Sequence, residues 1–261
     1  MVLANPRRLT DRAEIAARLS RDPGVHLYEI GDLDDFFFSS CTYFAHPSAP
    51  APALLYEGAD TPTLLALARE PSDDLAELVA AIAGELPRRV YAHLAVGLAE
   101  SLAPWFDVEP NGLHAKLELR NRDAVATVDI TGCERIGPGD LPSIGAFYEA
   151  AYPGSWFVPR MLSTGAYFGV RDGDVWVAVA GVHVVSREYR VAALGNVATL
   201  PEVRGRGLAR KTCAAVIRAL DGVEVIGLNV LADNEPALAC YRALGFENVC
   251  AYEEVFLTRR G

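Results

Sequence analysis

The stretch Val197-Ala-Thr-Leu-Pro-Glu-Val-Arg-Gly-Arg-Gly-Leu-Ala209 decides the fold, because it predicts the end of a strand, a glycine turn and the start of a helix. Gly205 and Gly207 remove side chains where the chain turns, so consecutive backbone N–H groups can converge on one anion at the positive end of the helix. Apolar residues or threonine then recur at every fourth position from Leu208 to Leu220, which indicates one buried helix face. The stretch therefore predicts a cradle suited to pyrophosphate.

Two other nucleotide-binding motifs also place glycines before a helix, and neither fits. The dinucleotide fingerprint requires a third glycine three residues after the second, where this sequence has Arg210. The P-loop requires a glycine directly before its lysine, and Arg210 again occupies that position ahead of Lys211. A bulky side chain there would block the approach of backbone to phosphate, and Lys211 is expected inside the helix. A nucleotide hydrolase is therefore the third-ranked interpretation.

The spacing Arg204-x-x-Gly207-x-Ala209 resembles the arginine-x-x-glycine-x-glycine/alanine motif of the GNAT superfamily of acyl-CoA-dependent N-acyltransferases. A second segment, Asn234-Glu-Pro-Ala-Leu-Ala-Cys-Tyr-Arg-Ala-Leu-Gly-Phe246, is similar to the family's other signature, an asparagine followed by a tyrosine seven residues later and then Leu-Gly-Phe. The resemblance runs from about Thr127 to the C-terminus. It implies acyl-CoA binding more specifically than it implies a substrate.

The resemblance also implies which residues bind the acyl donor, acetyl-CoA. The glycine turn is expected to hold the pyrophosphate through its N–H groups. The strand before the turn resembles the family's edge where backbone groups pair with the pantetheine arm, and an N–H there is expected to polarise the thioester carbonyl. The asparagine of the second motif is expected near the thiol end of the donor. The implied binding residues are Val197, Ala198, Thr199, Arg204, Gly205, Arg206, Gly207, Leu208, Ala209 and Asn234.

Tyr241 is the implied catalytic residue. Asn234 suits the N-cap of a helix, and a residue seven positions later lies about two turns along the same face. A phenol with an ordinary pKa of ~10, against ~8.5 for a thiol, stays protonated at neutral pH and can donate to the departing sulfur. A tyrosine of the hydrophobic core would give the same pattern, and only the first motif favours catalysis.

The general base is not assigned by the sequence. Many relatives carry a carboxylate early on the strand that leads into the glycine turn, whereas Val191-Ala-Ala-Leu-Gly-Asn196 contains no acid. His183 and Glu188 precede this strand, and Glu149 and Tyr152 belong to a helix that often borders the acceptor site. Each of the four is more often a surface or packing residue than a base.

The hydrophobic pattern indicates two α/β parts separated by the polar break Asn121–Asp123. We expect a degenerate GNAT-like domain without a cofactor motif over residues 1–122 and an acyl-CoA-binding catalytic domain over residues 123–261. The expected fold class is α/β of the α+β type, a mixed, largely antiparallel sheet flanked by helices. Two-part chains of this kind resemble the branch related to glycine N-acyltransferases, whose N-terminal part helps shape the acceptor side. The aromatic run Asp35–Phe44 could line such a pocket, although aromatic runs are more often core.

Local signals predict several elements. Periodicity indicates helices over Arg12–Leu19 and Asp74–Leu86, and Asp140 is expected to cap a helix over Leu141–Ala151. The turn Asp172-Gly-Asp is expected to join two strands as a hairpin.

Charge, apolar runs and cysteine spacing argue against nucleic-acid-binding, membrane-spanning and metal-binding proteins. The formal net charge of −10 argues against nucleic acid as a partner. No apolar run approaches the ~20 residues of a membrane span, and the N-terminal residues lack a signal-peptide core. The five cysteines are odd in number without C-x-x-C spacing, so neither disulfides nor a metal site is expected, and a cytoplasmic location is the default. We expect a monomer or homodimer.

The sequence as a whole predicts an N-acetyltransferase that passes an acyl group from acetyl-CoA, or a short acyl-CoA, directly to a small-molecule or peptide amine. The alternative is a non-catalytic acyl-CoA-binding regulatory module, whose only support is the missing strand carboxylate. Tyr241 beside Asn234 argues against that alternative, because a pure binding protein needs no proton donor.

Overall fold

The computed structural model describes residues 6–47 and 49–261. Its helices are Arg12–Leu19 (α1), Leu27–Gly31 (α2), Asp35–Phe38 (α3), Asp73–Ile82 (α4), Arg122–Ala126 (α5), Leu141–Ala151 (α6), Leu208–Ala219 (α7) and Glu235–Ala243 (α8). Its strands are Arg7–Leu9 (β1), Cys41–Ala45 (β2), Ala53–Tyr56 (β3), Thr63–Ala66 (β4), Arg89–Ala95 (β5), Phe106–Leu119 (β6), Glu134–Arg135 (β7), Phe168–Asp172 (β8), Val175–Ser186 (β9), Val191–Thr199 (β10), Val225–Leu231 (β11) and Phe246–Arg259 (β12). Short 3-10 helices span Ala83–Glu85, Leu98–Leu102, Pro138–Asp140, Pro159–Thr164 and Pro201–Val203.

The first compact unit comprises the chain up to Lys116 together with Val230–Asp233 and Asn248–Gly261. Strands β1 to β4 form an antiparallel meander, and β4 then pairs in parallel with β5. Helix α4 makes the crossover that a parallel pair requires. Its apolar face is buried in the unit's core, to which Leu75, Leu78, Val79 and Ile82 belong.

The second unit comprises Leu117–Asn229 and Asn234–Glu247. Strands β7 to β10 form an antiparallel meander, and β10 pairs in parallel with β11 after the crossover helix α7. Helices α6 and α7 both contact β9. The expected class, a mixed and largely antiparallel sheet with flanking helices, is confirmed.

The observed units do not follow a single division between residues 122 and 123. Residues Tyr252–Thr258 of β12 pair antiparallel with Arg89–Ala95 of β5, so the C-terminal strand belongs to the first unit. Local periodicity could not show this, because the pairing joins segments more than 150 residues apart. Each unit contains a meander, a crossover helix and a parallel strand in the same order. The description of the first as a degenerate GNAT-like domain remains a prediction.

Most local predictions hold, with one clear error. Arg12–Leu19 is helical, and Gly173 at φ 59° turns the hairpin between β8 and β9. Asp140 precedes α6 but does not cap it, because its carboxylate instead accepts from the Gly137 N–H at 3.0 Å and pairs with Arg171 at 3.1 Å.

The aromatic run is divided between the core and the surface. Tyr43 and Phe44 are buried, whereas Phe36 is 60% exposed. No helix among residues 6–47 and 49–261 combines the length and apolar character needed to cross a bilayer.

Candidate active site

The glycine turn has an open, left-handed backbone. Gly205 and Gly207 have φ angles of 79° and 76°, which L side chains rarely adopt. A Cβ atom built at either position would have no heavy atom within 4 Å. Conformation, and not crowding by the protein, therefore selects glycine here, and the space above the turn is open to a ligand.

The N-terminus of α7 offers unused donors at this turn. The first backbone bond of the helix runs from the Lys211 N–H to the Gly207 carbonyl, at 3.1 Å. The N–H groups of Leu208, Ala209 and Arg210 precede it and have no carbonyl one turn earlier. Together with the helix dipole, these donors favour an anion, as the sequence predicts.

Arginines surround the turn while the lysine points elsewhere. Arg204, Arg206 and Arg210 are exposed, and Arg204 Nε donates to the Thr199 carbonyl at 3.1 Å, which fastens the turn to the end of β10. Lys211 lies in the helix, and its Nζ is 3.4 Å from Asp129 Oδ2. A P-loop lysine would instead lie at the helix mouth, so this geometry does not support nucleotide hydrolysis.

Strand β10 loses one partner before it ends. It pairs with β11 from Val191 to Leu194, then continues to Thr199 beside β9 alone within the described chain. Thr199 Oγ1 and Asn229 Oδ1, near the ends of the two strands, are buried without a hydrogen-bond partner. Unpaired backbone and orphaned polar atoms at this place fit an extended arm with amide groups, such as pantetheine.

A β-bulge interrupts β10 at the same place. Gly195 pairs with Gly181 and Ala198 pairs with Val179, so two residues of β10 oppose one of β9. One of the two, Asn196, has a positive φ of 53°. A bulge turns backbone groups away from the regular ladder, which makes the following N–H available for another acceptor.

The second motif folds as its sequence predicts. Asn234 caps α8, since its Oδ1 accepts from the Ala237 N–H at 3.2 Å. Gly245 has φ 91°, and a Cβ there would lie 2.2 Å from the Asn121 carbonyl oxygen. Both features fix the two ends of the helix that carries Tyr241.

Tyr241 is 8% exposed, and its ring makes an edge contact with Phe246 at 5.9 Å between centroids. Helix α8 contacts α7, the helix that begins at the glycine turn. The structure thus places both motifs in one unit. The chemical role of Tyr241 remains a prediction.

A buried hydrogen-bond network, absent from the sequence interpretation, holds the bulge. Asn196 Nδ2 donates to Tyr167 Oη at 2.9 Å and to the Trp156 carbonyl at 3.2 Å. The Tyr148 hydroxyl donates to the Asn196 carbonyl at 2.8 Å, and the Tyr167 hydroxyl donates to the Val182 carbonyl at 3.1 Å. One feature of the sequence could have indicated the bulge: an asparagine follows a glycine inside the strand, and asparagine tolerates positive φ.

His183 is the enclosed member of the four base candidates. A Cβ on Gly195 would lie 2.2 Å from its ring, so that glycine makes room for the imidazole. Burial lowers the pKa of His183 to about 4, while hydrogen bonding to Asn196 opposes the shift, so the ring is neutral at pH 7. The other three, Glu149, Tyr152 and Glu188, are exposed.

Among the described residues, no group of His, Cys, Asp and Glu side chains is arranged to hold a metal ion.

Residues 142–246 match the model of the acetyltransferase (GNAT) family, a range that contains the glycine turn and Tyr241. N-alpha-acetyltransferase RimI of Mycobacterium tuberculosis is 36% identical over 87 residues, which cover 32% of this chain and 52% of that protein. An uncharacterized protein of Mycobacterium leprae is 36% identical over 175 residues, which cover 59% of this chain and 45% of the relative. The chain thus spans about half the length of the curated relatives it matches.

Two solved structures share the fold. A GNAT-family acetyltransferase from Novosphingobium aromaticivorans is 22% identical and superposes with a TM-score of 0.59 over 80% of this chain and 89% of its own. A tandem GNAT protein from the clavulanic acid biosynthesis pathway is 14% identical, with a TM-score of 0.54 over 98% of both chains. The match to the GNAT family model is thus confined to residues 142–246, and the two solved structures show that the fold is shared.

Proposed function

We propose that this chain is an N-acyltransferase that passes an acetyl or other short acyl group from acyl-CoA directly to an amine. One observation carries the proposal: the open left-handed turn at Gly205 and Gly207 lies between the end of β10 and the N-terminus of α7. The turn supplies N–H donors for the pyrophosphate of acyl-CoA, and the end of β10 supplies unpaired backbone groups for the pantetheine arm.

Each implied residue has a role in this proposal. The N–H groups of residues 205–210 bind the pyrophosphate, and Arg206 and Arg210 add positive charge beside it. Val197, Ala198 and Thr199 pair with the pantetheine arm, where the Thr199 hydroxyl gains a partner. Asn234 uses its side-chain oxygen in the helix cap, which leaves its amide nitrogen as a donor near the thiol.

The bound acyl-CoA supplies the reactive thioester, and the chain's own groups assist its transfer. An N–H at the bulge, such as that of Val197, polarises the carbonyl oxygen as charge develops. Tyr241 donates its proton to the departing sulfur. The donation leaves a tyrosinate, and the proton that the acceptor nitrogen loses as the amide forms restores the phenol, so amine and thioester give amide and free thiol.

The acceptor amine must be neutral to attack the thioester. The His183 imidazole, whose pKa burial lowers to about 4, is a weak base for removing the proton of an ammonium group. An α-amino group with a pKa of ~8 is partly neutral at pH 7, whereas a lysine amine with a pKa of ~10.4 is almost wholly charged. We therefore propose an acceptor amine of low pKa, such as the α-amino group of an amino acid or peptide, in line with the name of the RimI relative.

Donor binding is tested with a matched pair of glycines. Gly207 and Gly222 share a φ of 76° and open space around the Cβ position, but only Gly207 belongs to the cradle. Gly207→Glu places bulk and negative charge against the pyrophosphate, so calorimetric titration should detect no acetyl-CoA binding. Gly222→Glu carries the same backbone strain and should bind like the wild type. Equal affinity in a folded Gly207→Glu variant would contradict the donor site.

Transfer is tested by thiol release from acetyl-CoA with a panel of amines of graded pKa. We expect turnover with α-amino acceptors at pH 7 and a rise with pH that follows the pKa of each acceptor amine. Donor binding without thiol release toward any amine class would favour the regulatory module instead.

A further inference from the structure

We propose that Asn196 is a positioning residue for acyl transfer, which holds the β10 bulge and the Trp156 segment in one fixed arrangement. This inference rests on the proposed function, because it concerns how the same site is built. It assigns to Asn196 no contact with the reacting atoms.

The backbone of Asn196 adopts a conformation that few residues accept. Among the described residues, only Arg190 and Asn196 combine a side chain beyond hydrogen with positive φ, at 59° and 53°. Residues with a Cβ rarely adopt this conformation, and asparagine is among those that tolerate it. It occurs at the point where two residues of β10 oppose one residue of β9. The sequence therefore places at the bulge a side chain that tolerates its conformation and also bonds to its surroundings.

The side chain is tied to the stretch of residues 156–167. Asn196 is 3% exposed, and its amide donates to the Tyr167 hydroxyl and the Trp156 carbonyl. The same amide lies 3.4 Å from Met161 Sδ. Three residues of the single stretch 156–167 thus meet one amide group, so loss of the amide releases all three together.

The backbone is fixed as well. Tyr148, on α6, donates its hydroxyl to the Asn196 carbonyl at 2.8 Å. This bond sets the orientation of the peptide that joins Asn196 to Val197, and hence the direction of the Val197 N–H. In the proposed reaction that N–H faces the thioester carbonyl, where small errors of direction reduce stabilisation of the transition state.

Trp156 links the amide to His183. Trp156 is 46% exposed, and its ring makes an edge contact with His183 at 5.4 Å between centroids. Because Asn196 holds the Trp156 carbonyl, it helps to hold the contact between this ring and His183. In our proposal these two rings border the approach of the amine, so one residue couples the donor strand to the acceptor side.

The test uses Asn196→Gly, which keeps the positive φ without strain and removes only the side chain. Arg190→Gly is the matched control, since it makes the same kind of replacement at the other positive-φ position, away from the bulge. We expect Asn196→Gly to bind acetyl-CoA within about twofold of the wild type and to lose at least about tenfold in kcat. The KM for the amine should rise, and Arg190→Gly should match the wild type in all three measurements.

A second readout does not depend on turnover. Because Asn196 holds the Trp156 segment whose ring contacts His183, Asn196→Gly should shift the pKa of that imidazole, measured by NMR titration. A folded Asn196→Gly variant with wild-type kcat and an unchanged His183 titration would overturn the proposal. Equal losses of kcat, donor affinity and thermal stability would also overturn it in favour of a merely structural role. If the wild type itself transfers no acyl group, the proposed function fails, while the His183 titration still decides whether Asn196 positions its neighbours.

Discussion

At the scale of single residues, Tyr241 carries the largest part of the proposed chemistry. Its ring is nearly buried and contacts Phe246, so packing alone could account for its presence. Its hydroxyl is the only part of the side chain that a proton donor needs. A change that removes the hydroxyl and keeps the ring therefore separates the two roles.

Tyr241→Phe should lower kcat by ~10²–10⁴-fold, the usual contribution of a positioned general acid, while acetyl-CoA affinity survives. The loss should shrink with an acyl donor whose leaving group has a lower pKa, because such a group departs without a proton. Steady-state kinetics with both donors, together with calorimetry, measure these effects. A near-normal kcat with the natural donor would identify Tyr241 as a packing residue, and a collapse of affinity would identify it as an anchor for the donor.

Residues differ in how far the sequence alone predicts their roles. Asn234 is predicted correctly as a helix cap, because the start of a helix is determined by neighbouring residues. Asp140 is predicted wrongly, because Arg171 competes for its carboxylate from a distant strand. Asn196 is missed, because its partners lie 29 to 48 residues away along the chain. Local rules succeed where the partners are local.

At the scale of elements, α7 combines a ligand-binding end with a buried face. Thr212 and Val216 are fully buried, as the four-residue spacing predicts. Lys211 lies on the flank and pairs with Asp129, whose pKa is lowered to about 2, chiefly by hydrogen bonding to Thr131 and further by Lys211. The lysine that gives the sequence its partial P-loop resemblance is thus occupied by an ion pair on the helix surface.

Lys211→Ala should therefore leave acetyl-CoA affinity within about twofold of the wild type, since an exposed ion pair contributes little. Thermal-shift titrations with acetyl-CoA and with ATP–Mg test this expectation side by side. Stabilisation by ATP–Mg alone, abolished in the variant, would instead favour the nucleotide-binding interpretation.

The sequence predicts a strand directly before the glycine turn, as β10 is, whereas the bulge in β10 does not follow from the sequence. A strand's length is determined by its own apolar run, but its register depends on the partner strand. Here Gly181 and Gly195 face each other and make room for the rings of Tyr167 and His183, a fit that only the paired strands reveal. The glycine turn, in contrast, could be predicted from the sequence, because its glycines act through their own backbone and need no partner strand.

At the scale of the whole molecule, the two units share an order of elements but differ at the crossover helix. In the first unit, Ser72 caps α4 with its hydroxyl, and Asp73 and Asp74 occupy the first turn. Two carboxylates and an occupied cap disfavour a pyrophosphate, whereas the second unit presents glycines and arginines at the corresponding turn.

Calorimetric titration should therefore give one acetyl-CoA per chain. Gly207→Glu should abolish the whole binding signal. A stoichiometry of two, or a second transition that survives in Gly207→Glu, would show that the first unit also binds the donor.

The first unit instead buries an unusual number of ionisable groups. Glu254 lies 3.5 Å from His93 and 3.4 Å from His114, and Tyr252 donates to it at 3.0 Å. Lys116 is fully buried with its Nζ 4.7 Å from the centre of the Tyr28 ring, and burial lowers its pKa.

A second buried pair lies in the same unit. His26 and Glu29 are 3.1 Å apart, and the pKa of Glu29 is lowered by His26 and Lys116 against the effect of burial. Such groups make folding sensitive to pH without any ligand.

Acid should destabilise the protein over a window fixed by its buried histidines. Burial lowers the pKa values of His93 and His183 to about 4, below the ordinary value of ~6.5. Between these two pKa values the histidines bind protons in the unfolded chain but not in the folded chain. The free energy of unfolding therefore falls as pH drops from ~6.5 to ~4. A shift of this size corresponds to at most ~3 kcal/mol for each histidine, and below that window Glu29 adds to the loss as its carboxylate is protonated.

Urea unfolding at a series of pH values measures this slope. His93→Gln and His183→Gln should each flatten it by about one proton. Each replacement puts a neutral amide in place of the imidazole and cannot take up a proton, so a flatter slope reports the lost titration. Parallel slopes for the wild type and His93→Gln would mean that the histidine is solvated in the native state, and the buried cluster around Glu254 would then be open to water.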